Sequence, residues 1–169
     1  MRIDKSSRHQ KIIGDFGEHL VCNWLSRSGF EVVRVDHTGI DLVAYNPTTG
    51  QRLGITVRSR TRDRKHREES SVNILRLDDR RKLTEACEAF ACEPWIGVYV
   101  ETEASADAYL ISLRHYDHTY RGREGRVIDT WKMGKKDKDR YEGDPAVKHI
   151  RIEFRAQNWD WKGDRTNDS

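Results

Sequence analysis

Apolar residues recur at three- and four-residue steps through the first part of the chain, at Ile13, Phe16, Leu20, Val21 and Trp24. That spacing gathers them on one face of an α-helix over about residues 7–28. Ser28-Gly29 supplies the stop, because glycine accepts the left-handed conformation of a helix end. The pattern then changes. Residues 30–35 are β-branched and aromatic and predict a strand, and residues 40–45 predict another. Asn46-Pro47-Thr48-Thr49-Gly50 is a turn signal. Residues 52–58 then read as the returning strand of an antiparallel hairpin, followed by a charged loop over 61–71. Leu83, Ala86, Cys87 and Phe90 form the stripe of a second helix over about 78–90, with Asp78 or Asp79 near its cap. Pro94 opens a new segment, and residues 95–100 make the near-continuous apolar run of a central strand. Residues 109–113 read as its partner, and the alternation over 147–154 predicts a last strand. Residues 115–140 are basic and contain glycine, and they show no clear period.

Register adds a spatial expectation. If Tyr45 faces Arg52, then Val43 faces Gly54 and Asp41 faces Thr56. Directly opposed residues share a face, and strand side chains repeat every two positions. Asp41, Thr56 and Arg58 should therefore converge on one side, unless the pairing slips by one.

Composition narrows the class. At 169 residues the chain has the size of one ordinary domain. It is read as one, with a core over about 7–113, an extension over 114–161, and disorder over 162–169. Charged residues make up 35% and hydrophobic ones 36%, so a compact core under a charged surface is expected. The periodic apolar segments argue against disorder for most of the chain. A net charge of +3 does not by itself mark a nucleic-acid binder. The local distribution says more: Arg58, Arg60, Arg62, Arg64, Lys65 and Arg67 cluster together, with Asp63 as the one acid among them. A solvated loop is the ordinary reading of such a run. Contacts to phosphates weigh about equally here, because the run leaves the strand that carries Thr56 and Arg58. Cys22, Cys87 and Cys92, with no signal-like leader, fit reduced thiols in a cytoplasmic protein. No apolar run approaches a membrane span.

Three short motifs carry a resemblance. Glu18 lies in Gly14-Asp15-Phe16-Gly17-Glu18, Asp41 in Thr38-Gly39-Ile40-Asp41-Leu42-Val43-Ala44, and Thr56-Val57-Arg58-Ser59-Arg60 closes the hairpin. Their order and spacing resemble the helix Glu, the strand Asp and the Glu-x-Lys of PD-(D/E)XK nucleases. Within that superfamily the pattern is most similar to Holliday-junction-resolvase-like nucleases, over about residues 14–113. The resemblance implies a restriction-endonuclease-like α/β core, a mixed central sheet flanked by helices. It also implies Asp41 as the principal ligand of Mg²⁺ or Mn²⁺, with Glu18 assisting directly or through water. DNA would be the partner, with Arg58, Arg60, Arg62, Arg64 and Lys65 at its backbone. Related resolvases are dimers, which implies a homodimer, although no residue here marks a dimer surface.

The chemistry shows why the departures matter. Hydrolysing a phosphodiester needs an activated water and a place for developing charge, and a carboxylate-held metal serves both. Mg²⁺ is often held by one or two carboxylates, with phosphate oxygens and waters completing the octahedron. Thr56 replaces an acid by a neutral hydroxyl. Arg58 replaces a lysine by a guanidinium that stays protonated but can clamp a phosphate through two hydrogen bonds. Glu18, Asp41, Thr56 and Arg58 thus mark a site better suited to holding a phosphate than to cleaving beside it. A borrowed acid (Asp78, Asp79 or Glu85) with Lys82 would restore an active endonuclease, and a scaffold using the fold alone is the third reading. Plainer roles stand beside these: Glu18 as a helix-flank residue, and Asp41 in a salt bridge to Arg58. Zinc at Cys87, Cys92, His115 and His118 is disfavoured, because Cys87 falls on a buried stripe. Trp159 and Trp161 offer stacking faces for bases, although packing under the last strand is the more ordinary role.

Overall fold

In a computed structural model, the structure describes residues 3, 5–62, 71–122, 127–155 and 157. The first helix, α1 (His9–Arg27), buries Ile13, Gly17, Val21 and Leu25, one residue per turn. Phe16, expected on that stripe, is 47% exposed instead. Gly17 takes the contact position: a Cβ there would lie 2.2 Å from Ser59 Oγ and 3.2 Å from Tyr99 Cβ. The missing side chain lets the helix backbone settle directly on the sheet. The helix ends as its sequence suggests. Gly29 has φ 84°, its N–H donates to Ser26 O, and that of Phe30 donates to Leu25 O, a Schellman closure.

The first three strands follow in the expected order, whereas the next strand, over 71–76, was not expected. β1 (Glu31–His37), β2 (Ile40–Tyr45) and β3 (Arg52–Thr61) form an antiparallel meander. Asn46 Oδ1 holds the turn between β2 and β3 by accepting the N–H groups of Thr48 and Thr49. β4 (Ser71–Arg76) and α2 (Leu77–Ala89) follow, then β5 (Glu93–Glu101) and β6 (Ser105–Ser112). β5 runs parallel to β3, whereas β6 returns antiparallel to β5. The architecture is α/β, with a mixed six-stranded sheet in the order β1-β2-β3-β5-β6 and then β8 (Lys148–Glu153), flanked by helices. α1 covers one face through Val21 and Leu25, packed with Leu42, Ala44, Ile55 and Val57. α2 lies on the other face, where Leu83, Ala86 and Cys87 join Ile96, Val98 and Ile111.

The stretch without a clear period forms α3 (Leu113–Thr119), β7 (Ile128–Lys132) and α4 (Lys135–Glu142). β7 pairs with β4 in a second, two-stranded sheet. Trp131 on β7 is fully buried, stacked on Tyr141 at 4.1 Å and near Tyr109, Tyr116 and Tyr120. β8 (Lys148–Glu153) then pairs with β6 and completes the main sheet. Among the described residues, no helix is long and apolar enough to cross a membrane. The tail expected over 162–169 lies outside the described residues.

Candidate functional site

The hairpin has the register that parity requires, with Tyr45 opposite Arg52, Val43 opposite Gly54 and Leu42 opposite Ile55. The next step brings Asp41 to Thr56, and there the backbone ladder stops. Asp41 Oδ2 instead accepts the backbone N–H of Val57 at 2.6 Å and the Thr56 hydroxyl at 3.1 Å. A side-chain carboxylate thus stands where a strand partner would have been, satisfying a donor that the fork in the sheet exposes. Thr56 is 2% exposed, so its hydroxyl is a fixed part of this joint.

Arg58 closes the same cluster. Its Nη1 donates to Thr56 Oγ1 at 2.9 Å and to Val57 O at 3.2 Å, and lies 3.8 Å from Asp41 Oδ2. Its Nε donates to Ile74 O at 3.1 Å, tying β3 to β4. Asp41, Thr56 and Arg58 do converge. However, the hydrogens on Nη1 and Nε are already used, so the two-nitrogen fork expected to clamp a phosphate is not on offer. What remains for a ligand is the Nη2 edge.

Glu18 and Asp41 line one open cleft of about 370 Å³, together with Asp15, Arg34, Asp36 and His37. Glu18 is held by a second arginine: Arg34 Nη2 and Nε donate to its Oε2 at 2.7 and 3.2 Å. Arg34 Nη1 also lies 3.2 Å from His19 Nε2, while His19 Nδ1 is 2.7 Å from Asp15 O. A carbonyl only accepts, so His19 carries its proton on Nδ1 and receives the Arg34 hydrogen bond on Nε2. Arg34, Asp15 and Asp36 were not singled out from sequence. Asp15 did sit three residues before Glu18, a spacing that shares a helix face.

For Mg²⁺ or Mn²⁺, which the resemblance implies, the donor set does not fit. Among the described residues, no three His, Cys, Asp or Glu side chains are grouped to hold a metal ion. Where the resemblance expects a third acid Thr56 has a hydroxyl, and Asp41 and Glu18 each give one oxygen to internal donors. The candidates for a borrowed acid are occupied on α2 itself. Asp78 pairs with Arg81 and Lys82, Glu85 pairs with Arg81, and Asp79 accepts the Arg76 N–H at the helix start.

The remaining candidates scatter. Arg60 is exposed on β3, and the Arg62 N–H donates to Glu101 O just beyond it. Arg64, Lys65, Trp159 and Trp161 lie outside the described residues. The zinc set does not assemble: Cys87 is buried against Gly54 O, His115 pairs with Asp144, and His118 meets Thr119. Burial pushes the Cys87 thiol up to about 12, so it stays protonated and a poor ligand.

No family model and no curated protein matches this chain. Among solved structures, a Holliday junction resolvase from the archaeal hyperthermophile Archaeoglobus fulgidus is similar with a TM-score of 0.49 and 18% identity, over 73% of this chain and 85% of that one.

Proposed function

We propose that this chain is a DNA-binding domain built on a nuclease-like core, with its phosphodiesterase chemistry impaired. The observation that carries the reading is the arginine at the ancestral acid site, Arg58 Nη1 standing 3.8 Å from Asp41 Oδ2 with the Thr56 hydroxyl bonded to both. A third carboxylate at Thr56 would add the charge that a divalent cation needs. A hydroxyl there, with Arg58 beside Asp41 and Arg34 on Glu18, offsets the acids internally instead. Positive charge follows along the chain at Arg60, Arg62, Arg64 and Lys65, the residue types that neutralise a phosphate backbone.

The test is incubation of purified protein with linear, branched and single-stranded DNA, with and without Mg²⁺ or Mn²⁺. Binding that weakens steeply with salt, without strand scission, supports the proposal. Metal-dependent cleavage abolished by Asp41→Asn would replace it with an active endonuclease. Absence of affinity for any DNA at low salt would leave a protein-interaction scaffold.

A further inference from the structure

Two of the three cysteines meet at one point in the fold. α2 ends in a closure where the Cys92 N–H donates to Cys87 O at 2.8 Å and the Ala91 N–H to Glu88 O at 3.2 Å. Ala91 supplies the left-handed residue, with φ 50°. This is a Schellman arrangement, which sets the residue after the left-handed one against the residue five positions earlier. By standard backbone dimensions, a hydrogen bond of that length holds the two Cα atoms within about 6.7 Å, inside the ~7 Å limit for closing a bridge. Gly54 on β3 locates both side chains. A Cβ on Gly54 would lie 2.5 Å from Cys87 Sγ and 3.3 Å from Cys92 Cβ. Both cysteines thus reach into the space that the glycine leaves open. We propose that Cys87 and Cys92 form a dithiol modification site, closed to an intramolecular disulfide by a small-molecule disulfide of the glutathione class. The proposal does not depend on the DNA-binding reading.

The two thiols differ in access. Cys87 is 1% exposed and donates to Gly54 O at 3.6 Å, whereas Cys92 is half-buried and donates to Phe90 O at 3.3 Å. A thiol is a weak donor, so swinging either sulfur toward the other gives up little. Burial holds both thiols above their usual range, and Arg52 opposes that rise at Cys92. Cys92 is therefore the entry point and Cys87 the resolving thiol. The Cys92 thiol loses its proton and attacks one sulfur of the incoming disulfide. That S–S bond breaks, and one thiolate leaves and takes up a proton. The Cys87 thiol then loses its proton and attacks the Cys92 sulfur, forming the internal bond and releasing the second small thiol. Two protein thiols are oxidised, and one small disulfide is reduced to two thiols. The bridge staples the last turns of α2 to the residue before β5 begins at Glu93. Cys22 takes no part, because it packs in the core beneath α1, across the sheet from the α2 core that holds Cys87.

The experiment treats the reduced, folded protein with glutathione disulfide in mildly alkaline buffer. Free thiols are then alkylated under denaturing conditions, and the products are mapped by mass spectrometry. Glu88 lies between the two cysteines, so cleavage after glutamate leaves two fragments that only a bridge holds together. The expected product is a monomer in which the Cys87 and Cys92 fragments stay joined until reductant is added, with Cys22 outside the bridge. Its melting temperature should exceed that of the reduced form, because the bridge restrains the unfolded chain. Cys92→Ser should form no bridge and show no such rise. Glutathione retained on Cys92 as a stable mixed disulfide would overturn the site, since Cys87 would then be out of reach. A bridge that includes Cys22, or an oxidised form that melts below the reduced one, would overturn it too. So would full alkylation of all three wild-type cysteines after prolonged treatment. The wild-type readouts stand whether or not Cys92→Ser folds.

Discussion

The carboxylate of Asp41 accepts the backbone N–H of Val57 at 2.6 Å at the point where β2 and β3 part. Asp41, which the proposed function places at the ancestral site, is therefore a structural joint. Asp41→Ala should leave that N–H and the Thr56 hydroxyl without their acceptor and Arg58 without its counter-charge. The expected cost is about 1–3 kcal/mol in urea denaturation. Asp41→Asn keeps an acceptor oxygen and should cost clearly less. Equal stability of the alanine variant and wild type would show that the joint is incidental. Functional assays should accordingly use the asparagine form, because lost activity in the alanine form confounds chemistry with folding.

On the proposed nuclease-like ancestry, an acid in place of Thr56 should confer metal affinity. Thr56 is 2% exposed and its hydroxyl lies 3.1 Å from Asp41 Oδ2, so Thr56→Glu places two carboxylates in close contact. Without a cation, that pairing is repulsive and raises the proton affinity of the pair. Thr56→Glu/Arg58→Lys should therefore be less stable than wild type alone, yet gain stability on adding Mn²⁺ by mass action. Calorimetry should show Mn²⁺ binding at least about tenfold tighter than in wild type, about 1.4 kcal/mol. Identical Mn²⁺ titrations for the two proteins would count against an ancestral metal site.

What the sequence revealed, and what it hid, follows from the range of each signal. The hairpin register was legible because the turn at Asn46–Gly50 is local and the strand repeat is strict. The joint of Asp41, Thr56 and Arg58 followed from that parity. Phe16 misled because hydropathy ranks a large ring above Gly17, while close packing of α1 on Ser59 and Tyr99 selects the residue without a side chain. The grip of Arg34 on Glu18 spans 16 residues between two elements, and no periodicity encodes such a pairing. The segment around Trp131 was opaque for a related reason. Its elements are short, five residues in β7 and seven in α3, and its aromatic residues pack against partners from distant parts of the chain.

Close approach at Gly17 makes a second stability prediction. Ser59 Oγ is enclosed and has no hydrogen-bond partner, so Ser59→Ala should be neutral or slightly stabilising. Gly17→Ala should destabilise, because the new methyl collides with that hydroxyl at 2.2 Å and crowds Tyr99. Overpacking of this kind costs about 1–3 kcal/mol. Combining the two should recover part of the loss, a favourable coupling of about 0.5 kcal/mol or more in a double-mutant cycle. Strict additivity would mean that Tyr99, not Ser59, limits the approach of α1.

Acid should loosen the far end of the molecule through Asp144. Burial alone would raise this carboxyl. The hydrogen bonds from His115 at 2.7 Å, from the Tyr120 hydroxyl at 2.6 Å and from the Ala146 N–H outweigh burial and hold it at about 2. A carboxyl whose folded-state pKa lies below its unfolded value of about 3.9 stabilises the fold fully above that value, and the contribution disappears as the pH falls through the folded one. Asp144 is 17% exposed, and the shift corresponds to roughly 2 kcal/mol lost between about pH 4 and about pH 2. Urea midpoints measured across that range should fall for wild type and fall less steeply for Asp144→Asn. Tyr120→Phe removes one donor from the carboxylate, so it should shrink the acid-sensitive part without abolishing it. Parallel curves for wild type and Asp144→Asn would assign the acid lability elsewhere. Asp107 would come next, since His149 and Lys138 overcome its burial and hold it below the usual carboxylate range.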